Sequence, residues 1–206
     1  MLFRLRKPFT KKIPGEGDLN ISHAYLVDFD GTLADTSDAN FLAYSVALHE
    51  VGIYFGREYF DKAAFGKNWR QFLPVILNEH GSTADPSAIA ARKVELYREA
   101  AGNVSFNEAL IFLLKNRGPG VKAALVTSAS SANIEAVFCG RRDLRDIFSL
   151  IVTGDDVTRH KPDPQGYVIA AERLGVPARN CIVFEDSDIG IMAGQAFGGH
   201  VLRIRL

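Results

Sequence analysis

Two aspartates two residues apart, Asp28 and Asp30, stand at the end of an apolar run that begins at Tyr25, just before Gly31. A short apolar run of this kind forms a buried strand. Side chains alternate along a strand, so Asp28 and Asp30 face one side and Phe29 the other. Paired carboxylates at the rim of a sheet concentrate negative charge, which is costly without a positive group against it. A hard divalent cation such as Mg²⁺, taken up by oxygen ligands, answers that need. Further on stand Thr127 and Ser128, then Lys161, then Glu185 and Asp186. Phosphoryl transfer needs a nucleophile, a proton donor for the leaving oxygen, and positive charge and donors around the phosphoryl group. Asp28 and Asp30 supply the first two. Thr127 and the backbone N–H groups after it form an anion site at a helix start, Lys161 gives a compact positive charge, and Asp186 with Glu185 completes an oxygen-rich metal site.

These groups have to be positioned by elements that bring them to one edge. Val121–Val126 reads as a strand ending in Thr127-Ser128, Ile147–Thr153 as a short strand, Cys181–Phe184 as a strand ending in Glu185-Asp186, and His200–Ile204 as the last strand. Helical patterns lie between them at Asn107–Asn116, Ser131–Val137, Gln165–Leu174 and a short segment through Met192. Strands alternating with helices predict an α/β fold, a Rossmann-like parallel sheet with helices on both faces, and ligands outside the carboxyl ends of its strands. Between the first and second strands the pattern is helical throughout: Phe41–Gly52 at helical spacing, then Arg57–Phe65, Asn68–His80 and Ala84–Ala101. Pro74 is expected to kink or break the third of these. The chain therefore divides into a basic extension at 1–20, an α/β core at 21–37 and 104–206, and an inserted all-helical segment at 38–103.

Composition narrows the partners. The 24 basic and 24 acidic residues cancel, so nothing favours nucleic acid. Two cysteines, Cys139 and Cys181, are too few for a disulfide scaffold, and Cys181 falls in a strand pattern as a buried thiol. No apolar run reaches the length of a membrane span, and the basic first residues lack the apolar block of a secretory signal. The expectation is a cytoplasmic protein, monomeric or homodimeric, without membrane contact. Residues 1–20, with Arg4, Arg6, Lys7, Lys11 and Lys12, read as a solvated tail.

Asp28-Phe-Asp30-Gly-Thr32-Leu resembles the first motif of the haloacid dehalogenase (HAD) superfamily. Val126-Thr127-Ser128 resembles its second, His160-Lys161-Pro162 its third, and Val183-Phe184-Glu185-Asp186-Ser187 its fourth, with Gly190 following. Four motifs in this order, each at a strand end or in a nearby loop, span the chain from about residue 24 onward. The resemblance implies a Mg²⁺-dependent phosphatase acting on a small phosphorylated metabolite through an aspartyl-phosphate. In it Asp28 is the nucleophile and Asp30 the acid/base. The Asp28 carboxylate, the Asp30 main-chain carbonyl and Asp186 bind the metal, with Glu185 direct or through water. Thr127, the Ser128 N–H and Lys161 hold the phosphoryl group. The helical insertion matches the cap of the subgroup containing β-phosphoglucomutase-like and phosphoglycolate-phosphatase-like enzymes, where a cap loop here holding Lys67, Asn68 and Arg70 projects specificity residues. Trp69 reads as core rather than as a ligand platform. Two departures stand out: Asn40 where many relatives have His, and Asp188 where many have Pro, an expected helix cap. A phosphomutase is the nearest alternative; a receiver-like protein or a silent phospho-ligand binder fits the residues less well.

Overall fold

The computed structural model describes residues 23–64, 66–100, 102 and 104–206. The basic extension, Phe65 and the ends of the insertion at 101 and 103 lie outside them. Five parallel strands form the main sheet in the order β5-β4-β1-β6-β7: β1 (His23–Val27), β4 (Val121–Val126), β5 (Leu150–Val152), β6 (Cys181–Glu185) and β7 (His200–Arg203). The alternation is legible residue by residue. Ala24 and Leu26, Ala124 and Val126, and Cys181 and Val183 face one layer, under α8 (Gln165–Leu174) and α9 (Asp188–Phe197). Val27, Ala123, Leu125 and Phe184 face the other, under α5 (Glu108–Lys115), α6 (Ser131–Gly140) and α7 (Arg142–Arg145). Because both faces are covered, the central strands are largely apolar instead of alternating with polar residues; Lys122 of β4 is an exception, its Nζ donating to Leu174 O.

Central β1 pairs with β4 on one side and β6 on the other, so the chain leaves it in opposite directions and opens a crevice at its carboxyl end. The register fixes what meets there. Val27 stands beside Leu125 and Phe184, so the residues just after them, Asp28, Val126-Thr127 and Glu185-Asp186, share one rim.

Between β1 and β4 the chain forms α1 (Ser37–His49), α2 (Arg57–Ala64), α3 (Trp69–Glu79) and α4 (Pro86–Ala100). Tyr44, Leu48, Phe60, Phe72, Leu73, Ile76 and Ile89 give these helices a hydrophobic cluster of their own. Pro74 lies inside α3, so of the expected kink or break the break does not occur. Proline removes one hydrogen bond, but Phe72, Leu73, Ile76 and Leu77 bury that face and outweigh the loss. A two-residue antiparallel pair, β2 (Ala34–Asp35) with β3 (Ser105–Phe106), staples the chain leaving the core to the chain returning. Asn107 reinforces that staple: its N–H donates to Leu33 O, its Nδ2 to Thr32 O, and its Oδ1 caps α5 by accepting from Leu110 N. Among the described residues, no helix is long and apolar enough to cross a membrane.

Candidate active site

Asp28 follows β1 directly and is nearly buried, anchored by its N–H to Phe184 O at 3.0 Å. Lys161 Nζ donates to Asp28 Oδ1 at 2.6 Å, to Glu185 Oε1 at 2.5 Å and to Val126 O at 3.2 Å, so its three protons are all engaged. Burial alone would lower the Lys161 pKa; the charges of Asp28 and Glu185 outweigh it and hold the ammonium well above its ordinary value. Burial, followed by repulsion from Glu185, pushes the Asp28 carboxyl well above the usual carboxylate range. Glu185 is 0% exposed and saturated. Its Oε1 also accepts from Tyr167 Oη at 2.8 Å, and its Oε2 accepts from the N–H groups of Asp186 and Ser187 and from Ser187 Oγ. This carboxylate fits only because residue 190 is glycine: a Cβ there would lie 1.9 Å from Oε1.

Asp30 points to the helical side. Its Oδ1 accepts from Thr36 Oγ1 and, at 3.2 Å, from Asn40 Nδ2, which also donates to Thr36 Oγ1 at 3.1 Å. Asn40, a departure from the family pattern, thus sits on the acid/base candidate itself. Behind this group lies Lys93 of α4, 1% exposed, with Nζ 4.0 Å from the Tyr97 ring centre and 5.0 Å from that of Tyr44. Burial lowers its pKa to about 7, against an opposing pull from Asp30. The ring faces supply part of the lost hydration.

Asp186 lies beside Gly31, whose φ of +84° and missing side chain both matter: a Cβ at Gly31 would stand 2.1 Å from Asp186 Oδ2. Thr32 Oγ1 donates to Asp186 Oδ1 at 3.1 Å. Burial, then Glu185, push the Asp186 carboxyl up to about 6. Asp28, Glu185 and Asp186 each offer an oxygen within 4.8 Å of the others. That all-oxygen set, with a single ammonium against three carboxylates and Asp30 close by, suits a hard divalent cation.

Thr127 is buried at the end of β4, its N–H bonded to Val152 O and its Oγ1 accepting from Ala129 N at 3.0 Å. Ser130 caps α6, and Ser128, Ala129 and Ser130 line a cavity of about 120 Å³ that also contains Asp28, Asp30, Lys67, Trp69 and the aromatic rings of Tyr44, Phe60 and Phe72. Of the three loop residues expected to touch substrate, only Lys67 lines this cavity; it is exposed, and its Nζ donates to Ala63 O. Asn68 instead caps α3 and donates to Ser128 O at 2.7 Å, a contact possible because Gly154 has no Cβ to strike both atoms. Arg70 stacks on Trp69 at 4.5 Å and reaches Asp155 at 3.5 Å. Trp69 is half-buried, partly packed on the helical cluster and partly in the cavity wall. Asp188 does not cap α9; Ser187 does, accepting from Gly190 N, while Asp188 turns outward to Arg203.

Sequence reasoning missed Lys93, Thr36 and Tyr167 in this setting. Thr36 and Asn40 carry a signal, being four apart at the start of a helix after Asp30. Lys93 and Tyr97 share that spacing on α4, but nothing in the local pattern marks that face as turned toward Asp30.

A family model described as haloacid dehalogenase-like hydrolase matches residues 25–204. The chain is 30% identical over 181 residues to the fructose-1-phosphate phosphatase YqaB of Escherichia coli, covering 88% of this chain and 95% of that protein. It is 33% identical over 188 residues to the phosphorylated carbohydrates phosphatase of Thermotoga maritima, covering 85% and 81%. Among solved structures, CbbY from Rhodobacter sphaeroides with phosphate superposes with a TM-score of 0.82 at 24% identity, covering 90% and 87% of the two chains.

Proposed function

The chain belongs to the haloacid dehalogenase-like hydrolase family, and from that premise we propose that it is a phosphomonoesterase acting on a small phosphorylated sugar. The observation that carries this reading is the placement of Asp28, bonded to Lys161, on a cavity that opens between the sheet edge and helices α1–α3, the proposed cap.

Asp28 attacks phosphorus while the bond to the substrate's leaving oxygen breaks, giving an aspartyl-phosphate. Asp30, held by Thr36 and Asn40 within the cavity wall, gives its proton to that leaving oxygen. It then takes a proton from the water that attacks the aspartyl-phosphate, releasing inorganic phosphate and restoring Asp28. Lys161 offsets the charge on Asp28 and keeps its nucleophilic oxygen in one place. Thr127, whose oxygen already accepts from Ala129 N, has its hydroxyl hydrogen left to donate to a phosphoryl oxygen. The Ser128 N–H at the start of α6 adds another donor. Mg²⁺, when bound, would neutralise charge on the phosphoryl oxygens and the nucleophile. The residues to hold it are Asp28, Asp186 and the Asp30 main-chain carbonyl. With both of its oxygens engaged, Glu185 acts on this centre chiefly by fixing Lys161 and the turn that carries Asp186. The helical cap excludes water and contacts the sugar.

The test is phosphate release from fructose 1-phosphate, glucose 1-phosphate and phenyl phosphate, with Mg²⁺, with EDTA, and with Asp28→Asn. The reading requires release that depends on the metal and is abolished by the substitution. Isomerisation of the sugar phosphate that needs a bisphosphate activator, with little free phosphate, would establish a phosphomutase instead.

A further inference from the structure

We propose that Asn68 is a positioning residue for the phosphoryl group: from the helical insertion it fixes the Thr127–Ala129 turn that holds that group, without touching the substrate itself. The inference rests on the phosphatase reading above. Asn68 and Gln71 form the capping box of α3, Asn68 Oδ1 accepting from Arg70 N at 3.0 Å and Gln71 Oε1 from Asn68 N at 2.8 Å. A capping box asks only for acceptor oxygens, which Ser, Thr or Asp supplies at the first position and Glu at the second, and the helix dipole favours acids in this turn. Here both residues are amides, so each keeps an NH₂ group that the helix does not use. Both groups cross to the core: Asn68 Nδ2 donates to Ser128 O at 2.7 Å and Gln71 Nε2 to Lys161 O at 3.1 Å. The two carbonyls belong to the two segments assigned to the phosphoryl group. Asn68 is 1% exposed, so its contact is shielded from water. The core leaves room for it at Gly154, where a Cβ would lie 2.4 Å from Ser128 O and 2.5 Å from Asn68 Nδ2. Gly154 has no positive φ, so its missing side chain serves this contact and not the backbone conformation.

The Ser128 carbonyl is one end of a peptide unit whose other end is the Ala129 N–H, and that N–H donates to Thr127 Oγ1 at 3.0 Å. A chain of hydrogen bonds therefore runs from the Asn68 amide through this peptide to the Thr127 hydroxyl, whose hydrogen is the donor proposed for a phosphoryl oxygen. Each bond in such a chain polarises the next. A donor on Ser128 O thus strengthens the Ala129 N–H, which in turn makes the Thr127 hydroxyl a better donor. The same bond fixes the plane of the peptide just ahead of α6. Donors aimed at the phosphoryl oxygens count most in the transition state, so the effect falls on kcat. The carbon skeleton of the substrate does not enter, which separates this role from a specificity contact.

The experiment measures kcat and KM of the wild type, Asn68→Ser and Gly154→Ala on fructose 1-phosphate and phenyl phosphate with Mg²⁺. Serine still caps α3 but is too short to reach Ser128 O. Alanine at 154 forces the same bond apart from the core side, and neither change adds a charge. The expected result is a fall in kcat of about tenfold in both variants, equal to about 1.4 kcal/mol. It should be the same within about threefold on the two esters, with KM changed less than kcat. A fall of less than about threefold in a folded variant, or a loss confined to fructose 1-phosphate, overturns the proposal. Thermal unfolding shows which variants are folded, and one folded variant is enough to apply the criterion. If the wild type hydrolyses neither ester, the phosphatase reading fails, and calorimetry with inorganic phosphate and Mg²⁺ decides the proposal by itself. Binding at least about fivefold weaker in the variants then supports it; a smaller difference, or no binding by the wild type, overturns it.

Discussion

Replacing Gly190 with alanine sets two effects against each other, and the structure decides the sign. Gly190 lies inside α9 without a positive φ, so helix propensity alone would have alanine stabilise the protein by about 1 kcal/mol. The new Cβ, however, would stand 1.9 Å from Glu185 Oε1 and 2.0 Å from its carboxyl carbon. Glu185 has nowhere to go: it is fully buried, and both oxygens are held by Lys161, Tyr167, Ser187 and the turn N–H groups. Moving it breaks charge-assisted hydrogen bonds worth about 1.5–3 kcal/mol each, and disrupting a buried ion pair costs about 3–5 kcal/mol. The net expectation for Gly190→Ala is a loss of about 2–4 kcal/mol in urea unfolding at pH 7.5. Glu185→Ala and the double variant complete a cycle. With the carboxylate gone, the alanine at 190 has space, so its effect should return to a stabilisation of about 1 kcal/mol. Gly190→Ala that is neutral or stabilising in the wild-type background would refute the reasoning, as would additivity within about 0.5 kcal/mol across the cycle.

Three further expectations concern charge. In metal-free protein the Asp186 carboxyl is raised from 3.8 to about 6, so the folded state holds the extra proton and this group's contribution to stability falls as pH rises from about 4 to 6. Mg²⁺ removes that penalty, so its effect on Tm should be larger at pH 7.5 than at pH 5; equal shifts would contradict the proposed site. For Lys93 the sign is opposite. Its pKa falls from 10.5 to about 7, the unfolded state binds more protons between those values, and stability rises with pH there by up to about 1.4 kcal/mol per unit. Lys93→Met should flatten that slope in denaturation curves from pH 7 to 10, and an unchanged slope would show that the lysine is not desolvated. Asp188→Asn removes an exposed ion pair with Arg203 and should change stability by less than about 1 kcal/mol, with Mg²⁺ affinity by calorimetry within twofold; a tenfold weaker affinity would place Asp188 at the metal.

The parallel sheet was legible because its signal is local: Tyr25 to Val27, Val121–Val126 and Cys181–Phe184 are apolar runs that end in polar pairs. Their convergence followed from one rule about strand ends. What the chain did not disclose depends on contacts far apart in sequence. The β2–β3 staple has only two residues per strand, too few for periodicity to register, and it exists because Asn107 meets the Thr32-Leu33 loop. Glu185 belongs among the acidic residues of the rim by sequence, yet its five protein hydrogen-bond donors make it a strut, which only the packing around Gly190 reveals. The cap-loop resemblance points to Asn68 and Arg70 as specificity residues; in the fold, capping and the contacts to Ser128 and Asp155 take them up. Pro74 shows the same thing in reverse, a local signal overruled by the burial of its helix face.

The central claim is that Asp28 is the nucleophile, and trapping it tests that most directly. Wild-type protein in excess over a hydrolysed phosphomonoester would be quenched in acid within the first turnover, reduced with borohydride and digested for mass spectrometry. An aspartyl-phosphate is reduced to the alcohol, so the expected result is homoserine at position 28, absent without substrate and absent in Asp28→Asn. Turnover with residue 28 unmodified, or with the label on another carboxylate such as Asp30 or Asp186, would contradict the account.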